Sequence, residues 1–246
     1  MFLHYRTRGF ILKKADRGEA DRIFTTYTKD FGKLEIFGKA IRKIKSKLRG
    51  GIGLFYLSDI EFIEGKTHKT LTDTILIDSF KNLRGNLERL VIAYKISEVL
   101  DNLIRGQEKD KKIWQLLKEV FEKLNNWRPP TYHPLEIESY KLEIIYYYFL
   151  WQLLSLLGYE PQLYNCSLCQ QKLKPETLYF LPEEGGVICQ ECFKKLKKGK
   201  EINPEVVKVL RLILRKDWEI LSKIKIEKPL TELLKKVSED YLNELK

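Results

Sequence analysis

Histidine and cysteine are scarce in this chain, with three histidines and four cysteines in 246 residues. His4, His68 and His133 are scattered, with no motif around them, so no histidine-centred metal or nucleophile constellation can be read. The chain has no Gly-rich phosphate loop followed by Lys-Ser/Thr, no His-Glu-x-x-His and no Gly-x-Ser-x-Gly. Those gaps remove the usual signatures of nucleotide hydrolysis, zinc proteolysis and serine hydrolysis. Glu61 with Glu64, or Asp16 with Glu19 and Asp21, come nearest to paired carboxylates, and turn and edge positions account for them. The N-terminus, MFLHYRTRGFILKK, is broken by charges and lacks the apolar stretch of a signal peptide. The longest apolar run, Ile144 to Tyr159, is short of a bilayer span and contains Gln152 and Ser155, so it reads as a buried core helix. The expectation is a cytoplasmic protein that is not an enzyme and engages neither membrane nor nucleotide.

Acid is missing in one place where base is dense. From Ile36 to Ser58 there is no Asp or Glu, while Lys39, Arg42, Lys43, Lys45, Lys47 and Arg49 all fall inside that stretch. These six charges compare with a formal net charge of +11 for the whole chain. A polyanionic partner is expected, nucleic acid before an anionic membrane surface. Ile41, Ile44 and Leu48 stand at i, i+3 and i+7, which predicts one face of a short helix, followed by a flexible exit at Gly50, Gly51 and Gly53. That face carries three aliphatics and no Trp or Phe, which disfavours membrane insertion. A merely solvated helix face is the plain alternative.

The first eighty residues read as about five short strands, through TRGFILKKAD, DRIFTTYTKDFGKLEIFGKA, LFYLSDIEFIEG and HKTLTDTILIDSF. Turns are marked by DRGEAD, DFGK and EGKTHK, and in the first of these Gly18 makes the turn while Glu19, Asp21 and Arg22 form an ion-pair network. Five strands in this length suit a small barrel, and an OB-fold carries a helix between its third and fourth strands, where the basic block lies. Phe10, Phe24, Tyr27, Phe31 and Phe37 could stack bases, although filling a small barrel explains most of them.

After Phe80 the pattern turns helical. HPLEIESYKLEIIYYYFLWQLLSLLG is expected to be the central helix of a bundle, with Pro134 in its first turn and Gly158 at its C-terminal cap. Asn203 followed by Pro204 predicts another helix start. The fold class is therefore α+β and multidomain: an N-terminal OB-fold β-barrel over residues 1–80, then an all-α helical domain over 81–246. The latter holds an irregular four-cysteine insert at about 162–198.

Cys166, Cys169, Cys189 and Cys192 form two Cys-x-x-Cys knuckles separated by nineteen residues, the spacing of a tetrahedral metal shell. Two disulfides are the alternative, and a reducing cytoplasm argues against them. One structural zinc per chain is expected, because a four-thiolate shell leaves no position for a reacting water. Tyr164 and Phe193 are expected to pack around it. A second basic run, Phe193 to Lys200, could be a solvated linker or a phosphate contact.

The N-terminal stretch GEADRIFTTYTKDFGKLEIFGKAIRKIKSKLRGGIGLFYLSDIEF resembles that of the RecO family of recombination mediators. The resemblance rests on the Gly-Glu-x-Asp-Arg turn, Gly32 of FGK, GKAIRK and LFYLSDIEF, and extends to the helical domain and the four-cysteine insert. It implies a DNA repair and recombination protein of the RecF pathway that binds single- and double-stranded DNA and anneals complementary strands. With RecR such a protein helps load RecA onto DNA coated by single-strand-binding protein. The implied DNA-binding segment maps onto Lys39 to Arg49, and the acidic tail of single-strand-binding protein is expected on Arg211 and Arg215, beside Leu210 and Leu214. A zinc-containing nucleic-acid-processing or RNA-modifying enzyme is the alternative.

Overall fold

The computed structural model describes residues 3–127, 135–174, 177–224 and 228–245, with the backbone alone for 135–141. His133 and Pro134 lie outside the described residues. The chain forms two compact units, Met1–Arg128 and Pro129–Lys246.

The first unit is built on a closed barrel of five strands in the order β1-β2-β3-β5-β4. The strands are β1 (His4–Arg17), β2 (Asp21–Thr28), β3 (Gly32–Gly38), β4 (Leu57–Glu64) and β5 (Lys69–Asp78). β1 is long enough to serve both neighbours: His4–Phe10 pair with β4 and Gly9–Arg17 with β2. Its register shifts between Ile11 and Lys13, a bulge that bends the strand from one partner to the other. A short parallel pairing, Ile36 with Lys69 and Phe37 with Thr70, closes the barrel between β3 and β5. Alternation sends Ile11, Phe24, Leu34, Ile36, Ile60, Phe62 and Leu71 into the interior.

Phe10, Ile11 and Leu12 are consecutive and all buried, because this part of β1 is covered on both faces. Ile11 faces the barrel interior, whereas the Phe10 ring lies 5.1 Å from Trp114 and 5.0 Å from Phe121. Those partners sit on α3 (Lys111–Asn126), which follows α1 (Lys81–Arg84) and α2 (Leu87–Leu103). Asp101 of α2 accepts hydrogen bonds from Lys13 at 2.6 Å and Lys33 at 3.0 Å, tying the helix to β1 and β3. Gly32 has φ +64°, and a Cβ there would stand 2.3 Å from the Glu108 carbonyl oxygen. The FGK turn therefore requires glycine both for its left-handed backbone and for the chain that crosses it.

The segment between β3 and β4 does not form the expected helix. Residues 39–45 are turns and bends, and only a 3-10 turn, Lys47–Gly51, follows. Ile41 is buried and plugs the barrel, Leu48 packs against the same core, and Ile44 is 92% exposed, so the three share no common face. A helix here would have stacked Arg42 on Lys45, Lys43 on Lys47 and Lys45 on Arg49, like charges at i, i+3 and i, i+4. The glycine exit is also pinned: the Gly51 carbonyl accepts the Ser58 hydroxyl at 2.6 Å and the Thr74 hydroxyl at 3.0 Å.

In the second unit α4 (Leu135–Leu156) is the central helix, apolar on most sides and buried from Leu142 onward at nearly every position. It packs on α6 (Pro204–Leu214) and α8 (Lys228–Glu244). Trp151 donates to Ser238 at 3.0 Å; of the polar residues of the apolar run, the Gln152 amide donates to the Ile213 carbonyl and the Ser155 hydroxyl to Glu160, each at 2.5 Å. Gly158 ends α4 at φ +89° in a Schellman arrangement, with Tyr159 N–H on the Leu154 carbonyl at 2.8 Å. Asn203 caps α6 by accepting from Glu205 N–H at 2.7 Å, with Pro204 in the first turn. The insert is more regular than expected. It holds β6 (Leu178–Leu181), β7 (Gly186–Cys189) and α5 (Gln190–Leu196), and β6 also pairs with β8 (Lys200–Ile202). α7 (Trp218–Lys223) joins α6 to α8. No helix among the described residues is long and apolar enough to cross a membrane.

Candidate nucleic-acid interface and metal centre

All six basic side chains of the block, Lys39, Arg42, Lys43, Lys45, Lys47 and Arg49, are exposed. The β1–β2 turn holds the start of their loop in place. Asp21 accepts the Ala40 N–H at 2.7 Å, and the Ala20 carbonyl accepts the Arg42 N–H at 2.9 Å. Ala40 sits at φ 53°, a left-handed conformation that the Asp21 contact helps to hold. Arg42 turns back onto the same hairpin, 3.6 Å from Asp16 and 3.2 Å from the Gly18 carbonyl. Asp16 also takes Arg22 at 2.5 Å, and that hydrogen bond above all holds its carboxyl below the usual range. The expected network of Glu19, Asp21 and Arg22 is thus rearranged: Arg22 pairs with Asp16, Asp21 serves backbone, and Glu19 is exposed. Lys39, Lys43, Lys45, Lys47 and Arg49 have no ion-pair partner among the described residues.

Most of the strand aromatics are spoken for. Phe24 lies in the barrel core with Phe31 packed against it, while Phe10 and Tyr27 are fully buried. Phe37 belongs to neither group: it is partly exposed and its ring lies 4.7 Å from that of His68. Glu61 is engaged by His4 at 3.0 Å, and Glu64 by Lys69 at 3.1 Å, so the two carboxylates do not form an acid–base pair.

The four cysteine sulfurs lie within 4.8 Å of one another. A tetrahedral shell with metal–sulfur bonds near 2.3 Å separates sulfurs by about 3.8 Å, and Cys169 and Cys189 stand 3.9 Å apart. The donor set therefore fits a metal ion. The first knuckle is a tight turn, with Gln170 N–H on the Cys166 carbonyl at 2.9 Å; the second runs from the end of β7 into α5. Burial raises the Cys166 thiol, but backbone N–H groups of Cys169, Cys189 and Leu168 outweigh it and bring the group down to about 6. Phe193 packs beside the cysteines, stacked on Tyr179 at 3.6 Å.

Tyr164 does not pack there. It lies under Arg211 at 4.7 Å and Arg215 at 5.3 Å, both on α6. Arg211 in addition donates twice to the Leu163 carbonyl, at 3.0 and 2.5 Å, while Leu210 is fully buried and Arg215 exposed. In the second basic run, Lys198 pairs with Glu183 at 3.6 Å and Lys200 with Asp240 at 2.8 Å; Lys194, Lys195 and Lys197 are exposed.

Two family models match: Recombination protein O N terminal over residues 1–80, and Recombination protein O C terminal over 84–245. The chain belongs to the RecO family. A DNA repair protein RecO from Dehalococcoides mccartyi (strain ATCC BAA-2266 / KCTC 15142 / 195) is 35% identical over 91% of this chain and 83% of its own length. Another, from Alkaliphilus metalliredigens (strain QYMF), is 30% identical over 96% of this chain and 92% of its own. A third, from Caldanaerobacter subterraneus subsp. tengcongensis, is 28% identical over 96% and 91%. Membership of the RecO family places the chain in DNA repair and recombination. Within that setting, what sequence reading missed is which residues hold elements in place. Asp101 gathers two lysines from the barrel, and Arg211 fastens the cysteine insert to α6. Neither belongs to a motif, and only the folded chain brings their partners near.

Proposed function

We propose that this chain is a non-enzymatic recombination mediator of the RecF pathway. It binds single- and double-stranded DNA, anneals complementary strands and, with RecR, helps load RecA onto DNA coated by single-strand-binding protein. The observation that carries this reading is the acid-free loop: five exposed cations without an ion-pair partner among the described residues, mounted on a closed barrel in a RecO-family chain. Cations placed this way neutralise backbone phosphates without reading sequence, which leaves bases free to pair. Lys39, Arg42, Lys43, Lys45, Lys47 and Arg49 are the assigned contacts, with the DNA-binding domain at residues 1–80 and the helical domain at 81–246.

The metal is zinc, one per chain, and its role is structural. An all-thiolate set favours zinc over harder ions, and the four sulfurs complete the shell. The acidic tail of single-strand-binding protein docks on the α6 face around Arg215 and Tyr164, with Arg211 holding the ring in place. No nucleotide is turned over.

Strand annealing tests the central reading. The protein alone should accelerate pairing of complementary oligonucleotides, and should do so again when the strands are coated with single-strand-binding protein. No acceleration in either condition would overturn it.

A further inference from the structure

We infer that Phe37 and His68 form a stacking site for a base of single-stranded DNA, set beside the basic loop. This deepens the DNA-binding reading above and rests on it. Phe37 is on the outer face of β3, opposite in alternation to Ile36, which fills the barrel. Its cross-strand neighbours are Ile23 on β2 and Thr70 on β5, both partly exposed. The ring therefore leans on a shallow apolar and hydroxyl surface and not on a core. His68, exposed in the β4–β5 turn, lies 4.7 Å from it at a tilt of 56°, and Thr67 steadies the imidazole through a hydrogen bond of 2.8 Å to Nδ1.

The charges around this pair name the occupant. Lys39, two residues beyond Phe37, opens the basic loop, and Lys66 stands in the same turn as His68. Both are exposed, and neither has an ion-pair partner among the described residues. Partly exposed aromatic rings with cations close by in the chain suit a flexible polyanion that carries flat apolar groups. A single strand offers this combination, with its bases free to stack while lysines track the phosphates. In a duplex the base faces are already stacked on one another, so only the phosphate contacts remain available. The site would thus separate the two substrates: the loop serves both, and the ring pair serves the single strand alone.

The test is equilibrium binding of the full chain to three labelled probes: oligothymidylate, an abasic strand of the same length, and a blunt duplex. Stacking one base is worth roughly tenfold in affinity or more. Phe37→Leu should therefore bind oligothymidylate about tenfold more weakly, with the abasic strand and duplex unchanged. Phe37→Trp should keep the affinity, and its added indole emission should be quenched by oligothymidylate and not by the abasic strand. His68→Ala, at an exposed position, should lose several-fold on oligothymidylate alone. Equal losses on all three probes, or no loss on any, would overturn the site. If Phe37→Leu fails to fold, Phe37→Trp and His68→Ala decide: no selective quenching and no selective loss reject it. A parent protein that binds none of the probes would instead reject the DNA-binding reading itself.

Discussion

Replacing Lys43, Lys45 and Lys47 by glutamine removes three charges that have no ion-pair partner among the described residues and leaves the anchors of the loop untouched. Arg42 is left in place because it already answers Asp16 and the Gly18 carbonyl, so its charge is partly spent within the chain. Of the six assigned contacts Arg42 is therefore set aside, and the parent counts five, Lys39, Lys43, Lys45, Lys47 and Arg49, of which the triple variant keeps Lys39 and Arg49. At roughly −0.7 per contact on a single strand, the parent should show a salt slope of about −3.5, and the triple variant about −1.4. Between 50 and 200 mM salt the parent would lose roughly a hundredfold in affinity and the variant less than about tenfold. The assay is fluorescence anisotropy on an oligonucleotide across a salt series, with melting temperature and zinc content as controls. Both controls should match the parent, because the three side chains are exposed. Annealing should slow in parallel. Equal slopes in the two proteins would refute the assignment and leave the loop a solubilising surface.

Three further outcomes follow from the packing. Cys166→Ser should abolish stoichiometric zinc in elemental analysis and lower the melting temperature by several degrees, with a smaller effect on DNA affinity in whatever remains folded; a full zinc complement would contradict the four-thiolate site. Gly32→Ala should cost about 2–4 kcal/mol in denaturant unfolding, since it combines a left-handed backbone with a Cβ driven into the Glu108 carbonyl; a loss below about 1 kcal/mol would mean the 104–110 segment gives way easily. Burial works against the Asp101 charge, but Lys13 and Lys33 prevail and its carboxyl sits below the ordinary value. Its folded pKa is depressed, so its stabilisation is present above about pH 4 and fades as pH falls through the folded value. Asp101→Asn should remove about 1–2 kcal/mol at neutral pH and flatten the acid limb of the stability curve, and an unchanged limb would deny the network.

The barrel was legible because alternation in β3 is strict, β1 and β2 are rich in β-branched and aromatic residues, and the turns carry Gly18 and Gly32. The second unit was legible at two helix ends, through Asn203 with Pro204 at the start of α6 and through Gly158 after α4, where a cap demands a particular residue type. The cysteine cluster was legible from spacing alone. What misled was the i, i+3, i+7 placement of Ile41, Ile44 and Leu48. Periodicity counts apolar positions, but three residues are too few to outweigh repulsion among six cations, and the barrel needed only Ile41 and Leu48. Tyr164 misled for a related reason. Nearness in sequence to Cys166 suggested a place beside the metal, yet α6 presents two guanidinium groups to the ring. Long-range partners such as Lys13 and Asp101, eighty-eight residues apart, leave no local trace.

An anchored loop in place of a helix changes how the basic block can act. A mobile helix would have to order itself on each strand it met, and the entropy of that ordering would be lost from every encounter. The observed segment is fastened at Ala40 and Arg42 by the β1–β2 turn and at Gly51 by Ser58 and Thr74, so its backbone course is set before any strand arrives. Beyond Arg42, the lysine and arginine side chains of the segment are exposed and without an ion-pair partner among the described residues. Long exposed side chains suit contacts to phosphates whose spacing varies along an unpaired strand, while the anchored backbone, with Ile41 and Leu48 packed into the barrel core, keeps them on one short loop. In this arrangement the Gly-Glu-Ala-Asp-Arg turn takes on a physical task. Its glycine carbonyl, its aspartate and its arginine, with Asp16 just before it, hold the cations of a neighbouring loop in place without neutralising most of them.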